Sequence, residues 1–252
     1  MFFAAENISK NFEGLKVLDH VSLEVGEKEI LALIGPNGAG KTTFFNILSG
    51  IYTPTEGKIR FKGKGIAGLA PHQIAERGIA RTFQNLRLFP QMTVLENILS
   101  GFFFKTRYGL VDALFKTKRF KQEGEKDVRE ACEISGFIGL KNKENELARN
   151  LSYGEQKKLE IARALALSPS LLLLDEPTAG MNHKETENMI DLIRKIREGG
   201  IAVILIEHDM KVVMNISDRI IVLDYGETIA EGRPEEIRNN EKVIEAYLGK
   251  RT

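Results

Sequence analysis

Apolar residues in this chain fall into two rhythms. Uninterrupted runs at residues 29–34, 171–174 and 201–206 read as strands buried on both faces, as in a parallel sheet covered by helices. Further strand signals stand at 1–8, 17–25, 58–61, 219–223 and 228–230, and of these all but 219–223 look half-exposed. A 3.6-residue rhythm predicts helices at 41–48, 71–77, 94–99, 125–133, 154–167, 184–197 and 211–215. Between residues 84 and 151 the helical pattern continues with little strand signal, which predicts a helical subdomain inserted into an α/β core. The expected division is 1–84 with 168–252 for the core and 85–167 for the helical part, together one domain. In the tail, Ile237, Ile244, Tyr247 and Leu248 share one helical side, so the segment is expected to dock.

The first buried run leads into Gly35-Pro36-Asn37-Gly38-Ala39-Gly40-Lys41-Thr42-Thr43, and a helix follows. Strand, glycine loop of the form GxxxxGK[ST], then helix is the context a phosphate-binding loop requires. Glycines let successive backbone N–H groups turn inward around a phosphate without Cβ clashes. Lys41 adds a full positive charge, the helix N-terminus adds its dipole, and Thr42 offers a hydroxyl to Mg²⁺. The chain is therefore expected to bind a nucleotide.

The run Leu171-Leu172-Leu173-Leu174 ends in Asp175-Glu176. A buried strand delivers such carboxylates to the sheet's carboxyl edge, where ligands bind in open α/β sheets. Asp175 is expected to hold Mg²⁺ through its water shell, and Glu176 to polarise the water that attacks the terminal phosphate. As an ordinary first-turn helix acid, Glu176 would need no such role. Leu151-Ser152-Tyr153-Gly154-Glu155-Gln156 contains a capping box, Ser152 to Glu155, opening an apolar-periodic helix.

Composition narrows the field. Lys plus Arg total 36 against 35 acids, a net charge of +1, so global charge gives no argument for nucleic acid. Residues 105–121 depart from that balance with six basic residues and one acid, Asp112. There Leu110, Val111, Leu114 and Phe115 share a helical face, which suits either an anionic membrane surface or a plain solvated face. The one cysteine, Cys132, excludes an internal disulfide and suits a reducing compartment. The start of the chain lacks the basic flank and long apolar core of a signal peptide. No apolar run approaches the ~20 residues that cross a bilayer, so any link to a membrane is expected to go through a partner.

Taken with the glycine loop and Asp175-Glu176, the stretch LSYGEQKKLEIARALA resembles the signature of the ATP-binding cassette (ABC) family, usually written LSGGQ. DEPTAGMN, LIEHDM, VLDYGETIAEG and NEKVIEAYLG extend the likeness over essentially the whole chain, toward the G-type ATPase subunits of branched-chain amino-acid importers. A lipopolysaccharide-export ATPase shares the LEIARAL helix but fits the tail less well; a soluble repair or translation ATPase would need a coiled coil or a second cassette. The resemblance implies a P-loop NTPase fold with a mixed, largely parallel core sheet, an antiparallel N-terminal β subdomain and an inserted helical subdomain.

It also implies residue roles. Phe12 matches the aromatic that stacks on adenine, and Val17 pads the same base. Gln84 matches the glutamine that touches Mg²⁺ or water and reports to the membrane subunit, and His208 the histidine that contacts the γ-phosphate. Leu151, Ser152, Tyr153, Gly154 and Glu155 would face the ATP of a second ATP-binding subunit, the same chain or a sister. Tyr153 and Glu155 depart from the family's glycine and glutamine; a carboxylate beside a phosphate is repelled, so Glu155 is expected to turn back and cap the Ser152 N–H. Integral membrane permeases, docked on apolar residues of 85–90 and 98–104, and indirectly a substrate-binding protein, are the implied partners, with the chain peripheral on the cytoplasmic face of the plasma membrane; at least two of Phe102, Phe103 and Phe104 are expected to be subdomain core instead. Asn182 stands where many members carry Asp, in the loop that contacts the second subunit.

Overall fold

The computed structural model describes residues 1–102 and 118–248. They divide into two compact units: residues 1–81 with the chain from Ser170 onward, and Thr82–Pro169. The apolar face proposed for 105–121 (Leu110, Val111, Leu114, Phe115), together with Phe103 and Phe104, lies outside the described residues.

The first unit holds two sheets. One is antiparallel, β2 (Leu15–Val25), β1 (Phe3–Phe12), β4 (Glu56–Phe61) and β5 (Lys64–Gly65) in spatial order. The other runs β10 (Glu227–Gly232), β9 (Arg219–Asp224), β3 (Ile30–Ile34), β8 (Ala202–Ile206), β7 (Leu171–Asp175), β6 (Ile79–Arg81). Its strands are parallel except β10, which returns from β9 as a hairpin. Every residue of β3, β7 and β8 is buried, as continuous apolar runs in a covered parallel sheet should be. Alternation sets which face each serves: Leu31 and Leu33 join Phe44 and Phe45 of α1 (Lys41–Leu48) and Phe3, Ile8 and Leu18 of the smaller sheet in one core. The phosphate-loop helix is thus clamped by apolar packing.

Two strands had no usable signal. β6 contributes only Ile79 and Ala80 to the core, and β5 is two exposed residues. Neither is long enough to display a period; β6 exists because β7 offers it a parallel partner, Ile79 to Leu171 and Arg81 to Leu173. The N-terminal strand continues to Phe12, beyond the expected end at 8, because β4 pairs with it at Ser9 and β2 from Lys10 to Phe12. The unit also contains α2 (Pro71–Glu76).

The second unit contains α3 (Val94–Gly101), α4 (Lys118–Phe137) and α5 (Tyr153–Ala166), with a 3₁₀ turn at Ala148–Asn150. α4 is far longer than the expected 125–133, since charged residues dominate it and obscure the apolar stripe. Thr93 and Glu96 form a reciprocal cap that starts α3, and the helix buries Val94, Asn97 and Ile98. That burial corrects one expectation: Ile98 is a core residue, not an exposed docking residue; Phe102 is buried, as the core reading of the phenylalanines has it, whereas Phe89 and Met92 are exposed. Asn97 accepts from Phe89 N–H and donates to the carbonyls of Phe89 and Thr93, pinning the preceding loop.

Back in the first unit, α6 (His183–Glu198) and α7 (Met210–Ile216) precede the tail, which forms α8 (Pro234–Arg238) and α9 (Glu241–Leu248). The break at Asn239-Asn240 rotates the second helix, so Ile237 and Val243 are buried while Ile244 and Tyr247 stay partly exposed. The single continuous face expected for the tail is therefore corrected.

Candidate active site

Parallel pairing lines up three strand ends. β3 stops at Ile34, β8 at Ile206 and β7 at Asp175, in the order β3, β8, β7, so the glycine loop, Glu207-His208 and Asp175-Glu176 emerge at one sheet edge.

In the loop, backbone geometry dictates glycine twice. Gly40 caps α1 at φ 95°, and a Cβ there would stand 2.7 Å from Leu18 Cδ2 and 3.0 Å from the Val17 carbonyl oxygen. At Gly35 a Cβ would stand 2.1 Å from the Leu223 carbonyl oxygen. No side chain caps α1 and no acid occupies its first turn, so its N-terminal N–H groups face out without a competing carboxylate. Asn37, Gly38 and Thr42 are exposed, Pro36 and Thr43 half-buried and Ala39 buried. Lys41 is 6% exposed and donates to the carbonyls of Gly35 at 2.6 Å and Pro36 at 2.8 Å. Burial pulls its pKa below the usual lysine range, opposed by the charges of Glu176 and Asp175. A buried ammonium beside an uncapped helix N-terminus is suited to an incoming polyphosphate.

Asp175, buried, accepts from Arg81 at 2.9 Å. Glu176, one residue on, sits at φ +49°, a strained setting for a non-glycine residue that aims its side chain off the strand end. Its Oε1 lies 2.6 Å from His208 Nε2. His208 is placed there by Glu207, whose buried carboxylate accepts from the Thr178 N–H at 2.9 Å, the Thr178 hydroxyl at 2.7 Å and the His208 N–H at 3.2 Å. Burial raises the Glu207 pKa against those three bonds. Sequence reading gave Glu207 no role; a lone acid after a strand carries no signal until Thr178 is beside it.

Among the described residues no cluster of three His, Cys, Asp or Glu could hold a metal alone. Thr42 and Asp175 together suit Mg²⁺, which dehydrates reluctantly and takes one or two protein oxygens plus phosphates.

Phe12 ends β1 and is 36% exposed, so it is not a core residue. Its ring meets Tyr52 edge to face at 5.2 Å, with the Lys10 ammonium 4.9 Å from its centroid. Val17 is half-buried beside Gly40.

The signature residues and Gln84 belong to the helical unit. Ser152 is the N-cap of α5: Glu155 N–H donates to its hydroxyl at 3.4 Å, and its own N–H donates to Glu155 Oε2 at 3.0 Å. Glu155 does turn back as expected. Its other oxygen takes Lys143 at 2.7 Å; burial opposes ionisation, but the Lys143 and Ser152 bonds hold the carboxyl below its ordinary pKa. Leu151 and Gly154 are buried, and Tyr153 is exposed. Gln84 is exposed, and its backbone is pinned: Lys157 donates to its carbonyl at 2.9 Å, while Glu160 accepts from the Phe83 N–H at 3.2 Å. Both are buried charges on α5, missed because they interrupt an otherwise apolar face. Asn182 caps α6 by bonding Glu185 N–H at 3.0 Å.

Known proteins share this chain's sequence and fold. Residues 18–179 match the family described as ABC transporter, and residues 227–251 the family described as branched-chain amino acid ATP-binding cassette transporter. The chain is 48% identical over 247 residues to the high-affinity branched-chain amino acid transport ATP-binding protein LivG of Salmonella typhimurium, covering 98% of this chain and 97% of that one. It resembles the ADP conformation of MJ1267, an ATP-binding cassette of an ABC transporter, with TM-score 0.86 and 34% identity over 99% of each chain. It also resembles the dimeric post-hydrolysis cassette MJ0796 bound to ADP and Pi, with TM-score 0.77 and 29% identity over 92% of this chain and 99% of that one. On the family match over 18–179 and this near full-length likeness, the chain belongs to the ABC transporter family of ATPases.

Proposed function

We propose that this chain is the ATP-hydrolysing subunit of an importer of branched-chain amino acids. The Glu176–His208 pair at the edge that also presents Lys41 and Asp175 carries the hydrolytic part of this reading. The match of the tail at 227–251 and the LivG relative support the solute class.

Phe12 and Val17 bracket adenine, and the loop from Gly35 to Thr43 wraps the phosphates. Lys41 exchanges the carbonyls of Gly35 and Pro36 for phosphate oxygens, a charge-assisted bond replacing two neutral ones. Thr42 and Asp175 would hold Mg²⁺, which would neutralise phosphate charge. A water oxygen attacks the γ-phosphorus as the bond to the β-bridging oxygen breaks, and Glu176 accepts the water's proton. His208 holds Glu176 in line and contacts the γ-phosphate. The strained backbone at Glu176 keeps its carboxylate pre-aimed, which spares reorganisation during reaction.

Ser152 and the Gly154 N–H close over the ATP of a second subunit, as in a dimeric cassette, and separate when the γ-phosphate leaves. Membrane permeases bind the helical unit, a substrate-binding protein delivers the solute, and the chain sits peripherally at the cytoplasmic membrane face. No helix among the described residues is long and apolar enough to cross a membrane.

Glu176→Gln is the test. It should keep ATP affinity, lose hydrolysis by about 10²–10⁴-fold, and elute as a dimer with Mg-ATP. Hydrolysis at the native rate would refute Glu176 as base. Leucine uptake by vesicles carrying the permeases and this chain, absent with the variant, checks the solute class.

A further inference from the structure

Arg81 has no role in the mechanism above, yet it is among the most heavily engaged side chains of the α/β unit. It ends the edge strand β6, and its side chain is 6% exposed. Its guanidinium donates to Asp175 Oδ2 at 2.9 Å, Asn46 Oδ1 at 2.8 Å and Ser49 Oγ at 2.7 Å, and lies 5.6 Å from the centre of the Phe45 ring. Three of those partners belong to α1 or its C-cap and one to the end of β7. One planar fork thus ties the helix whose first turn bears Thr42 to the strand whose end bears Asp175. A lysine could supply the charge but not this geometry.

We propose that Arg81 is a positioning residue and built-in counter-ion for Asp175: it holds the carboxylate in place before any cation arrives and keeps divalent cations out of the site until a nucleotide's phosphates outweigh its charge. The inference rests on the assignment of Asp175 to the metal. A guanidinium on one carboxylate oxygen draws charge from the group and repels a second cation nearby, while the bond fixes where that carboxylate points. Nucleotide phosphates then add enough negative charge for the ion to bind, so metal is taken up with nucleotide rather than alone.

The test is Mn²⁺ binding, read as loss of the free-ion paramagnetic resonance signal, on nucleotide-free full-length protein. Native protein should bind no Mn²⁺ below about 1 mM, and Arg81→Gln should bind it about tenfold more tightly or better. Arg81→Lys, which keeps the charge, should behave as native even though its melting temperature falls. Adding Asp175→Asn to Arg81→Gln should abolish the gained binding. If Arg81→Gln is unfolded in metal-free buffer, Mn²⁺ should refold it, followed by circular dichroism, and failure to do so counts against the proposal. A folded Arg81→Gln with native Mn²⁺ affinity overturns it, because a purely structural arginine would change stability and leave metal affinity alone. Asp175→Asn alone, titrated with Mn²⁺ and ATP, separates the two readings: unchanged affinity there refutes the metal assignment itself.

Discussion

Two helices in this chain begin at candidate phosphate contacts, and they begin in opposite ways. α1 starts from Gly40 with no side-chain cap and no acid in its first turn. α5 starts from Ser152 with a reciprocal cap, and its acid Glu155 is further tied to Lys143. The first helix leaves its positive end uncompensated at a buried lysine; the second has already spent part of its dipole on its own carboxylate. An uncapped N-terminus is less stable by itself, so α1 depends on apolar packing of Phe44 and Phe45, whereas α5 carries a local stop of its own. The difference predicts strong anion binding at the glycine loop and a weaker, more adjustable contact at the signature.

The largest effect should come from the buried side of that contrast. Lys41→Ala should weaken ATP binding by about 100-fold or more, roughly 3 kcal/mol, in an isothermal titration. Affinity within a few-fold of native would mean that the loop binds through its backbone alone and that the contrast is overdrawn.

Next is the support beneath His208. Glu207→Ala removes the acceptor for Thr178 and should cost about 1–3 kcal/mol in chemical unfolding. Glu207→Gln isolates the charge. Because burial raises the Glu207 pKa, the folded state holds that proton to higher pH than the unfolded chain does. Its contribution to stability is therefore fullest below the ordinary carboxylate value of 4.5 and declines as pH rises through the folded value. Native melting temperature minus that of Glu207→Gln should fall as pH rises from 4.5, and a flat difference would show that the three hydrogen bonds have cancelled the burial.

The smallest effect tests the exposed side. Glu155→Gln keeps an acceptor for the Ser152 N–H and loses only a surface ion pair, so stability should change by less than about 0.5 kcal/mol and ATPase rate little. A large rate loss would place Glu155 on the nucleotide and erase the distinction between the two helices.

Much of the site was legible because its parts are local. The α1 bounds agree with the expected 41–48, and the strands at 171 and 202 follow from apolar runs alone. The back-turned Glu155 followed from charge repulsion and a three-residue spacing, both contained in one turn. Phe12 was expected at the base from the resemblance, and its partial exposure fits a surface aromatic; its edge contact with Tyr52 was not legible, because the two are 40 positions apart. β6 was hidden for the same kind of reason, a strand too short to announce itself without β7.

By itself the sequence determined the pattern of the phosphate loop, the strand-end acids, the Ser152–Glu155 cap and the family, since each is a pattern of adjacent residues with one low-energy local geometry. Only the tertiary structure decided which distant charges meet: Arg81 with Asp175, Glu207 with Thr178, His208 with Glu176. These partners are far apart in sequence, and strand order, which no local propensity encodes, is what brings them to one edge.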